Sequence, residues 1–254
     1  MTNDGMSRSV ILLAVAIFAQ GFVQADDNLE LGVPGKCDQI VRRDGYALGF
    51  SREYKQALWV AYRLTKDEAE AQTVSRNIAA FYEDAEVTGS ATLNDYRRSG
   101  YDRGHLAPAG DMKFSEKAMR ESFSMANMSP QINSFNSGVW NRLEQEVRNF
   151  ASREHSIFVV TGPVFVDDEE PKFIGENKVR VPEFFYKVIY DETPPQKMIG
   201  FIVANKGLKR PISFFAIPVD DVEDATGLDF FSSLPGEEQE RLEAQVDTQL
   251  WGLQ

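Results

Sequence analysis

The feature that most limits the folds open to this chain is a set of apolar, β-branched and aromatic runs separated by turns. Such runs are typical of β-strands. They cover residues 46–50, 58–64, 156–163, 184–190, 197–204 and 213–218. Only a few helical patterns lie between them, and they do not alternate regularly with the strands. The sequence therefore predicts an α+β fold with a central antiparallel or mixed β-sheet flanked by helices.

The clearest helical pattern runs from residue 137 to 153. Its apolar residues recur at spacings of three and four, which predicts an amphipathic helix. These apolar residues are Val139, Trp140, Leu143, Val147 and Phe150. Polar residues Glu144 and Arg148 are four apart and should lie on one helical face. A second, acidic helix is predicted over residues 237–250.

The length of 254 residues and the 43% hydrophobic content fit one globular domain. Residues 1–25 contain ten consecutive apolar residues, 10–19, after Arg8 and before a small-residue cleavage site. This pattern predicts a signal peptide, since it is too short to span a membrane. Residues 26–44 are interpreted as a loose N-terminal arm and residues 45–254 as a single domain. We expect a secreted or periplasmic protein without stable membrane association after cleavage.

Charge is distributed unevenly along the chain, whose net charge is −12. The acidic segment 220–254 holds ten acidic residues and one basic residue, whereas residues 96–153 hold nine basic and six acidic residues. The middle of the chain is therefore locally basic, as a polyanion-binding site requires. Cys37 is the single cysteine, so an intramolecular disulfide and a nitrogen/sulfur zinc site are both excluded.

His105 is the strongest candidate for a catalytic residue. It is one of two histidines and follows Arg103 and Gly104. Imidazole exchanges protons near neutral pH, and a guanidinium matches the geometry of a phosphate. This combination favours hydrolysis of a phosphate ester, although an ordinary turn histidine is the alternative. His155 lies at a helix-to-strand junction and is interpreted as structural.

Residues 127–148 add oxygen ligands to this picture. Asn127 and Asn136 precede the amphipathic helix, and Asn136 lies eight residues before Glu144, close to two helical turns. Amide and carboxylate oxygens suit a hard, hydrated cation such as magnesium, which binds few protein ligands. The segment therefore predicts a site for one divalent cation.

Three short motifs together resemble a known family. They are Asp102-Arg103-Gly104-His105, Asn127-X-X-Pro130-Gln131 and Asn136-X-X-X-Trp140-X-X-Leu143-Glu144. In these motifs the chain resembles the DNA/RNA non-specific endonucleases, which are ββα-metal (His-Me finger) enzymes such as the Serratia-type nuclease and endonuclease G. The resemblance covers roughly residues 45 to 232, so a ββα-metal finger is expected within the fold.

The resemblance implies a role for each catalytic residue. His105 would act as the general base, and Asn136 would bind one Mg²⁺ ion, for which Mn²⁺ could substitute. Glu144 would act on the water shell of the metal. Arg103 and Arg148 would neutralise charge on the phosphate, and the products would carry 5′-phosphate ends.

The resemblance also implies how substrate binds. Arg76 and Asn127 are the candidate substrate-binding residues, with Asn127 supporting the site. No sequence-reading module is evident, so contacts to DNA and RNA should be confined to the phosphate backbone and sugar. Two alternatives stay open, a phosphodiesterase for small nucleotides and an inactive nucleic-acid-binding relative. A homodimer is also left open.

Overall fold

The computed structural model describes residues 28–166 and 170–253, together with Met1. The predicted signal peptide lies outside this part of the chain, apart from Met1. Within the described ranges, no helix combines the length and apolar character needed to cross a membrane.

A seven-stranded sheet forms the centre of the fold. Its strands are β1 (Gln39–Arg42), β2 (Ala47–Ser51), β3 (Gln56–Thr65), β6 (Ser156–Val164), β9 (Phe184–Asp191), β10 (Lys197–Ala204) and β11 (Ala216–Ile217). They are ordered β1-β2-β3-β6-β9-β10-β11, and every neighbouring pair is antiparallel. The predicted α+β class with a central antiparallel sheet is confirmed.

Two small hairpins lie outside this sheet, β4 (Asp102–His105) with β5 (Met128–Gln131) and β7 (Phe173–Ile174) with β8 (Val179–Arg180). The helices are α1 (Lys66–Glu70), α2 (Glu116–Glu121), α3 (Asn141–Glu154), α4 (Val219–Thr226) and α5 (Gly236–Glu243). Short 3-10 turns cover Arg76–Ile78, Met125–Asn127 and Ile212–Phe215.

Three predicted elements differ from the observed ones. The arm at residues 26–44 contains β1, which pairs with β2 and extends the sheet. Regular helix α3 begins at Asn141 rather than residue 137, because the irregular helical turn before it leaves helical geometry at Gly138. The C-terminal helix ends at Glu243 instead of continuing to residue 250.

The sheet separates two apolar layers because side chains alternate along each strand. On β3, Val60 and Tyr62 pack on the layer that includes α3, whereas Trp59 and Ala61 face the layer covered by α4 and α5. On β9, Phe185 and Ile189 also pack against the α3 layer. This alternation places Lys187, which lies between them, on the α3 side of the sheet.

Hairpin β4–β5 and helix α3 form a ββα unit beside the α3 layer. The five apolar residues predicted to face the core from residues 137–153 are all fully buried. Glu144 and Arg148 lie next to that buried stripe and are only partly buried. The amphipathic pattern therefore orients α3 so that these two polar side chains face hairpin β4–β5.

Candidate active site

A cavity of about 400 Å³ lies between strand β4 and helix α3. Six of the seven candidate residues from the sequence line it: Arg76, Arg103, His105, Asn136, Glu144 and Arg148. Lys113 and Asn141 also contribute to its wall. The tertiary structure thus brings residues from four separate segments of the chain to one cavity.

The β4–β5 hairpin requires a glycine in the strand that carries His105. A Cβ atom at Gly104 would collide with the side chain of Gln131. Gly104 pairs with Ser129, whose hydroxyl donates a hydrogen bond of 2.5 Å to Gln56 on β3. The hairpin is therefore closely packed and fixed to the main sheet, which gives His105 a rigid support.

Aromatic packing orients the ring of His105. The ring centroid lies 5.6 Å from that of Phe81 and 4.8 Å from that of Phe123, and the residue is only 9% exposed. Its Nε2 is buried and has no hydrogen-bond partner among the described residues. Packing against these two rings, and not a hydrogen bond to Nε2, therefore holds the ring in place.

The same environment keeps His105 neutral. Burial, followed by the positive charge of Arg76, lowers the pKa of His105 to about 3. A buried imidazolium would lose its hydration and would lie near a guanidinium, so the uncharged ring is favoured. At neutral pH the ring is therefore uncharged.

Asn136 is held in place by Asp102, the first residue of β4. The amide Nδ2 of Asn136 donates to Oδ2 of Asp102 at 3.0 Å, and Nδ2 of Asn133 donates to the same oxygen at 2.9 Å. Because an asparagine side chain has one amide nitrogen and one carbonyl oxygen, this bond fixes which atom is which. The carbonyl oxygen of Asn136 remains as an acceptor at the cavity.

The carboxylate of Glu144 interacts with the charge of a buried lysine, Lys187. Lys187 is fully buried, and its Nζ donates to Oγ1 of Thr161 at 3.2 Å and lies 4.7 Å from the ring centroid of Trp140. Burial raises the pKa of Glu144, and the positive charge of Lys187 opposes that rise. Burial lowers the pKa of Lys187, and Glu144 opposes that change in turn. The two groups therefore favour each other's charged forms.

Arg148 is held in place by an ion pair with Asp111. Its Nη1 donates to Oδ1 of Asp111 at 2.6 Å, and the hydroxyl of Tyr62 donates to Oδ2 of the same carboxylate at 2.9 Å. Burial alone would lower the pKa of Arg148, but the charge of Asp111 outweighs it and raises the pKa. The guanidinium is thus fixed and permanently charged at the cavity wall.

Arg103 and Arg76 are held by aromatic rings instead of carboxylates. The guanidinium carbon of Arg103 lies 4.3 Å from the ring centroid of Phe81, and that of Arg76 lies 5.3 Å from the centroid of Phe123. Within the described ranges, neither side chain forms an ion pair. Their charge is therefore available to an anion in the cavity.

Asn127 does not reach the cavity, which corrects its assignment as a substrate-binding residue. It is fully buried. Its Oδ1 accepts from the backbone nitrogen of Ala107 at 2.9 Å, and its Nδ2 donates to the carbonyls of Ala107 and Ser122 at 3.0 and 2.8 Å. Both its amide oxygen and its amide nitrogen are bonded to backbone, so its side chain stabilises the chain leaving β4.

Comparison with known proteins identifies the family. A family model described as DNA/RNA non-specific endonuclease matches residues 24–237, which is most of the chain. The chain belongs to the DNA/RNA non-specific endonuclease family. The resemblance carried by the three short motifs is thereby confirmed.

Individual relatives agree with this family assignment. Nuclease C1 of Cunninghamella echinulata is 35% identical, over 83% of this chain and 89% of the relative. Nuclease 1, mitochondrial, of Schizosaccharomyces pombe is 33% identical, over 87% and 74%. Among solved structures, a complex of EndoG with EndoGI matches with a TM-score of 0.77 and 33% identity, covering 82% of this chain and 91% of that one.

The same comparisons show that the prediction of a secreted or periplasmic endonuclease is wrong. Relatives from Schizosaccharomyces pombe, Saccharomyces cerevisiae and Bos taurus are named as mitochondrial nucleases. The prediction depended on the apolar run at residues 10–19, which lies outside the described residues. Such a run reports hydrophobicity only, and hydrophobicity did not identify the cellular location.

Three residues of this endonuclease escaped the sequence analysis. Asp102 was quoted as part of a motif but was given no role, although it holds Asn136. Asp111 lies in a loop and carries no local signal, whereas Lys187 lies within an apolar strand pattern. A lysine in an otherwise apolar strand is unusual in itself, because an isolated buried ammonium is costly. That exception was the signal that could have revealed Lys187.

Proposed function

We propose that this endonuclease hydrolyses phosphodiester bonds in DNA and RNA, with His105 as the general base and one divalent cation, most simply Mg²⁺. The observation that carries this proposal is the shared cavity, in which a neutral imidazole, an oriented amide oxygen and unpaired guanidinium groups meet. A base, a ligand for a hard cation and positive charge are what the attack of water on a phosphodiester requires.

The ring nitrogen that accepts the proton is inferred to be Nδ1. Nε2 is enclosed by protein, whereas His105 as a residue lines the cavity. For the lone pair of Nδ1 to face water, the proton of the neutral ring would lie on Nε2. The low pKa of His105 keeps that lone pair free of a proton, and Phe81 and Phe123 hold the ring at a fixed angle.

The donor set of the cavity fits magnesium. Asn136 offers a carbonyl oxygen whose orientation Asp102 fixes, and Glu144, eight residues further along the chain in α3, offers a carboxylate at the same cavity. Oxygen ligands from few side chains suit Mg²⁺, which retains several waters, and also suit Mn²⁺. In this proposal Asn136 would bind the ion directly, and Glu144 would accept hydrogen bonds from its water shell. The bound ion would supply Lewis-acid stabilisation of the phosphate and of the leaving 3′ oxygen.

The arginines would stabilise the charge that grows on the phosphate during attack. Arg148 is immobilised by Asp111, and Arg103 and Arg76 are positioned by aromatic rings without a competing carboxylate. Preorganised positive groups need no rearrangement when the charge develops, which is why they favour the transition state. Departure of the 3′ oxygen would leave 5′-phosphate ends on the products.

Sugar and sequence tolerance follow from these contacts. Phosphate contacts carry no base information, so both DNA and RNA should be cut with little sequence preference. The names of the relatives from yeasts and cattle lead us to propose that this endonuclease acts in mitochondria.

The experiment compares purified full-length variants on plasmid DNA and on RNA, with Mg²⁺ and with chelator. His105→Asn and Asn136→Ala are expected to lose at least about 100-fold in rate. The matched controls are His155→Asn, which changes the other histidine, and Asn133→Ala, which changes the neighbouring asparagine on the same carboxylate. Retention of wild-type rates in both site variants, or full activity in chelator, would overturn the proposal.

A further inference from the structure

The catalytic cavity continues into a second cavity of about 510 Å³. The two share Arg76, Arg103 and Asn136 as lining residues, so they form one continuous cleft. The second part is walled largely by the segment that precedes β4, residues 93–101. Nothing in the catalytic roles above uses this segment.

The wall of the second cavity combines apolar and cationic groups. Leu93 is 38% exposed, and Phe81 and Tyr101 are partly buried. All three line the cavity together with Arg97. Flat apolar surface next to a guanidinium suits a nucleotide, whose base or sugar is apolar on its faces and whose phosphate is anionic.

The segment carrying this wall is rigidly fixed by Asp95. This carboxylate is 3% exposed and accepts hydrogen bonds from the backbone and hydroxyl of Thr92 at 2.7 and 2.8 Å. It also accepts from the backbone and amide of Asn177, in the β7–β8 turn, at 3.1 and 2.8 Å. Because Asp95 lies between Leu93 and Arg97, these bonds fix both residues relative to the cleft. The wall is thus preorganised before any ligand binds.

Arg97 is available to bind an anion. Its side chain is exposed and forms no ion pair, hydrogen bond or ring contact with any described residue. Arg43, by contrast, pairs with both Asp84 and Glu86. The free charge of Arg97 extends the line of unpaired arginines, Arg103 and Arg76, away from His105.

We propose that the second cavity is a subsite for the nucleotide next to the scissile phosphate, with Arg97 binding its phosphate and Leu93 and Tyr101 packing against its base or sugar. This inference rests on the proposed endonuclease function, because it extends the strand from the catalytic cavity. The ligand is a single polynucleotide strand, DNA or RNA, and the contact does not depend on base identity.

The test measures binding of a fluorescent single-stranded DNA 12-mer to full-length His105→Asn, with and without Arg97→Ala, at several salt concentrations. Loss of one phosphate contact should reduce the slope of log Kd against log salt by about 0.7. Affinity at low salt should fall about fivefold to tenfold, equally for different sequences. Arg98→Ala is the matched control, since Arg98 is exposed, adjacent in sequence and absent from the lining of the cavity.

Each outcome of the binding measurement either supports or overturns the proposed subsite. An unchanged slope for Arg97→Ala overturns the subsite, and so does an equal decrease for Arg97→Ala and Arg98→Ala, because that indicates diffuse surface charge. The binding measurement is independent of cleavage, so absence of nuclease activity in the wild type would overturn the proposed function separately. In the active protein, Arg97→Ala should reduce kcat/KM at least five times more on the 12-mer than on a small chromogenic diester. The reduction on the 12-mer should come from a higher KM.

Discussion

The side-chain amide of Asn136 donates a hydrogen bond of 3.0 Å to Asp102, which joins the first residue of β4 to the segment that leads into α3. These residues are 34 positions apart in sequence. The bond leaves the carbonyl oxygen of Asn136 as the available acceptor, which is the atom a hard cation would bind. The orientation of the proposed metal ligand is therefore set from outside its own segment.

Asp102→Ala should weaken metal binding without removing the metal ligand. Loss of a supporting hydrogen bond to a ligand typically costs 10–100-fold in metal affinity or activity, so the Mg²⁺ concentration for half-maximal cleavage should rise by about that factor. Asn133→Ala, which removes the other bond to this carboxylate, should change it by less than about threefold. Equal Mg²⁺ requirements in wild type and Asp102→Ala would contradict the role of Asp102.

Lys187→Met should move the acid limb of the pH–rate profile to higher pH. Burial raises the pKa of Glu144 to about 7, and the charge of Lys187 opposes this rise. Without the lysine the carboxyl holds its proton to higher pH, so the limb in kcat/KM should move up by about one pH unit. Lys206→Met, at an exposed position, is the control. A uniform loss of rate at every pH would instead indicate a purely structural lysine.

Asn127→Ala should lower stability while leaving substrate contacts intact. The change leaves three buried backbone groups without a hydrogen-bond partner, so the free energy of unfolding should fall by about 3 kcal/mol. Asn149→Ala removes an exposed asparagine and should cost less than about 0.5 kcal/mol. Urea unfolding measures both variants. An unchanged stability together with a raised KM for DNA would restore Asn127 as a substrate-binding residue.

His105 should make the fold less stable in acid. Because its native pKa is about 3 and the ordinary value is 6.5, the unfolded chain binds more protons than the native chain between these pH values. Stability therefore rises with pH across that window, by up to about 1.4 kcal/mol per pH unit from this group. His105→Asn should flatten the dependence, and His155→Asn should not. Identical pH dependence in wild type and His105→Asn would exclude a buried neutral imidazole.

Glu243→Gln should stabilise the protein above neutral pH. Glu243 is 4% exposed, and burial raises its pKa to about 7, with Glu223 and Asp220 adding to the rise. Between about pH 4.5 and 7 the native carboxyl binds more protons than the unfolded one, so its contribution to stability falls as pH rises. At pH 8 the variant should be more stable by about 1 kcal/mol, and at pH 4 the gain should vanish. Glu237→Gln, at an exposed position, is the control in thermal unfolding.

Much of the fold could be predicted from local periodicity in the sequence. The two-residue alternation of β3 and β9 and the three-and-four spacing of α3 follow from backbone geometry, so these elements can be recognised in isolation. The acidic C-terminal helix was predicted too long, because the chain leaves helical geometry after Glu243 and packs Val246, Trp251 and Leu253 on the apolar layer that includes α3. Helix α4 and strand β1 were missed because short elements depend on their neighbours more than on their own pattern.

The sequence by itself determined the family, the fold class and six side chains that line the cavity, since short motifs and periodic patterns are local properties. Tertiary structure alone decided how those side chains are held. Asp111 lies 37 residues from Arg148, and the charge of Lys187, on β9, acts on Glu144 of α3. Burial likewise assigned Asn127 to the backbone instead of the substrate. Such contacts depend on which faces of the helices and strands pack together. Packing joins segments that are distant in sequence, so these contacts cannot be predicted from residue spacing along the chain.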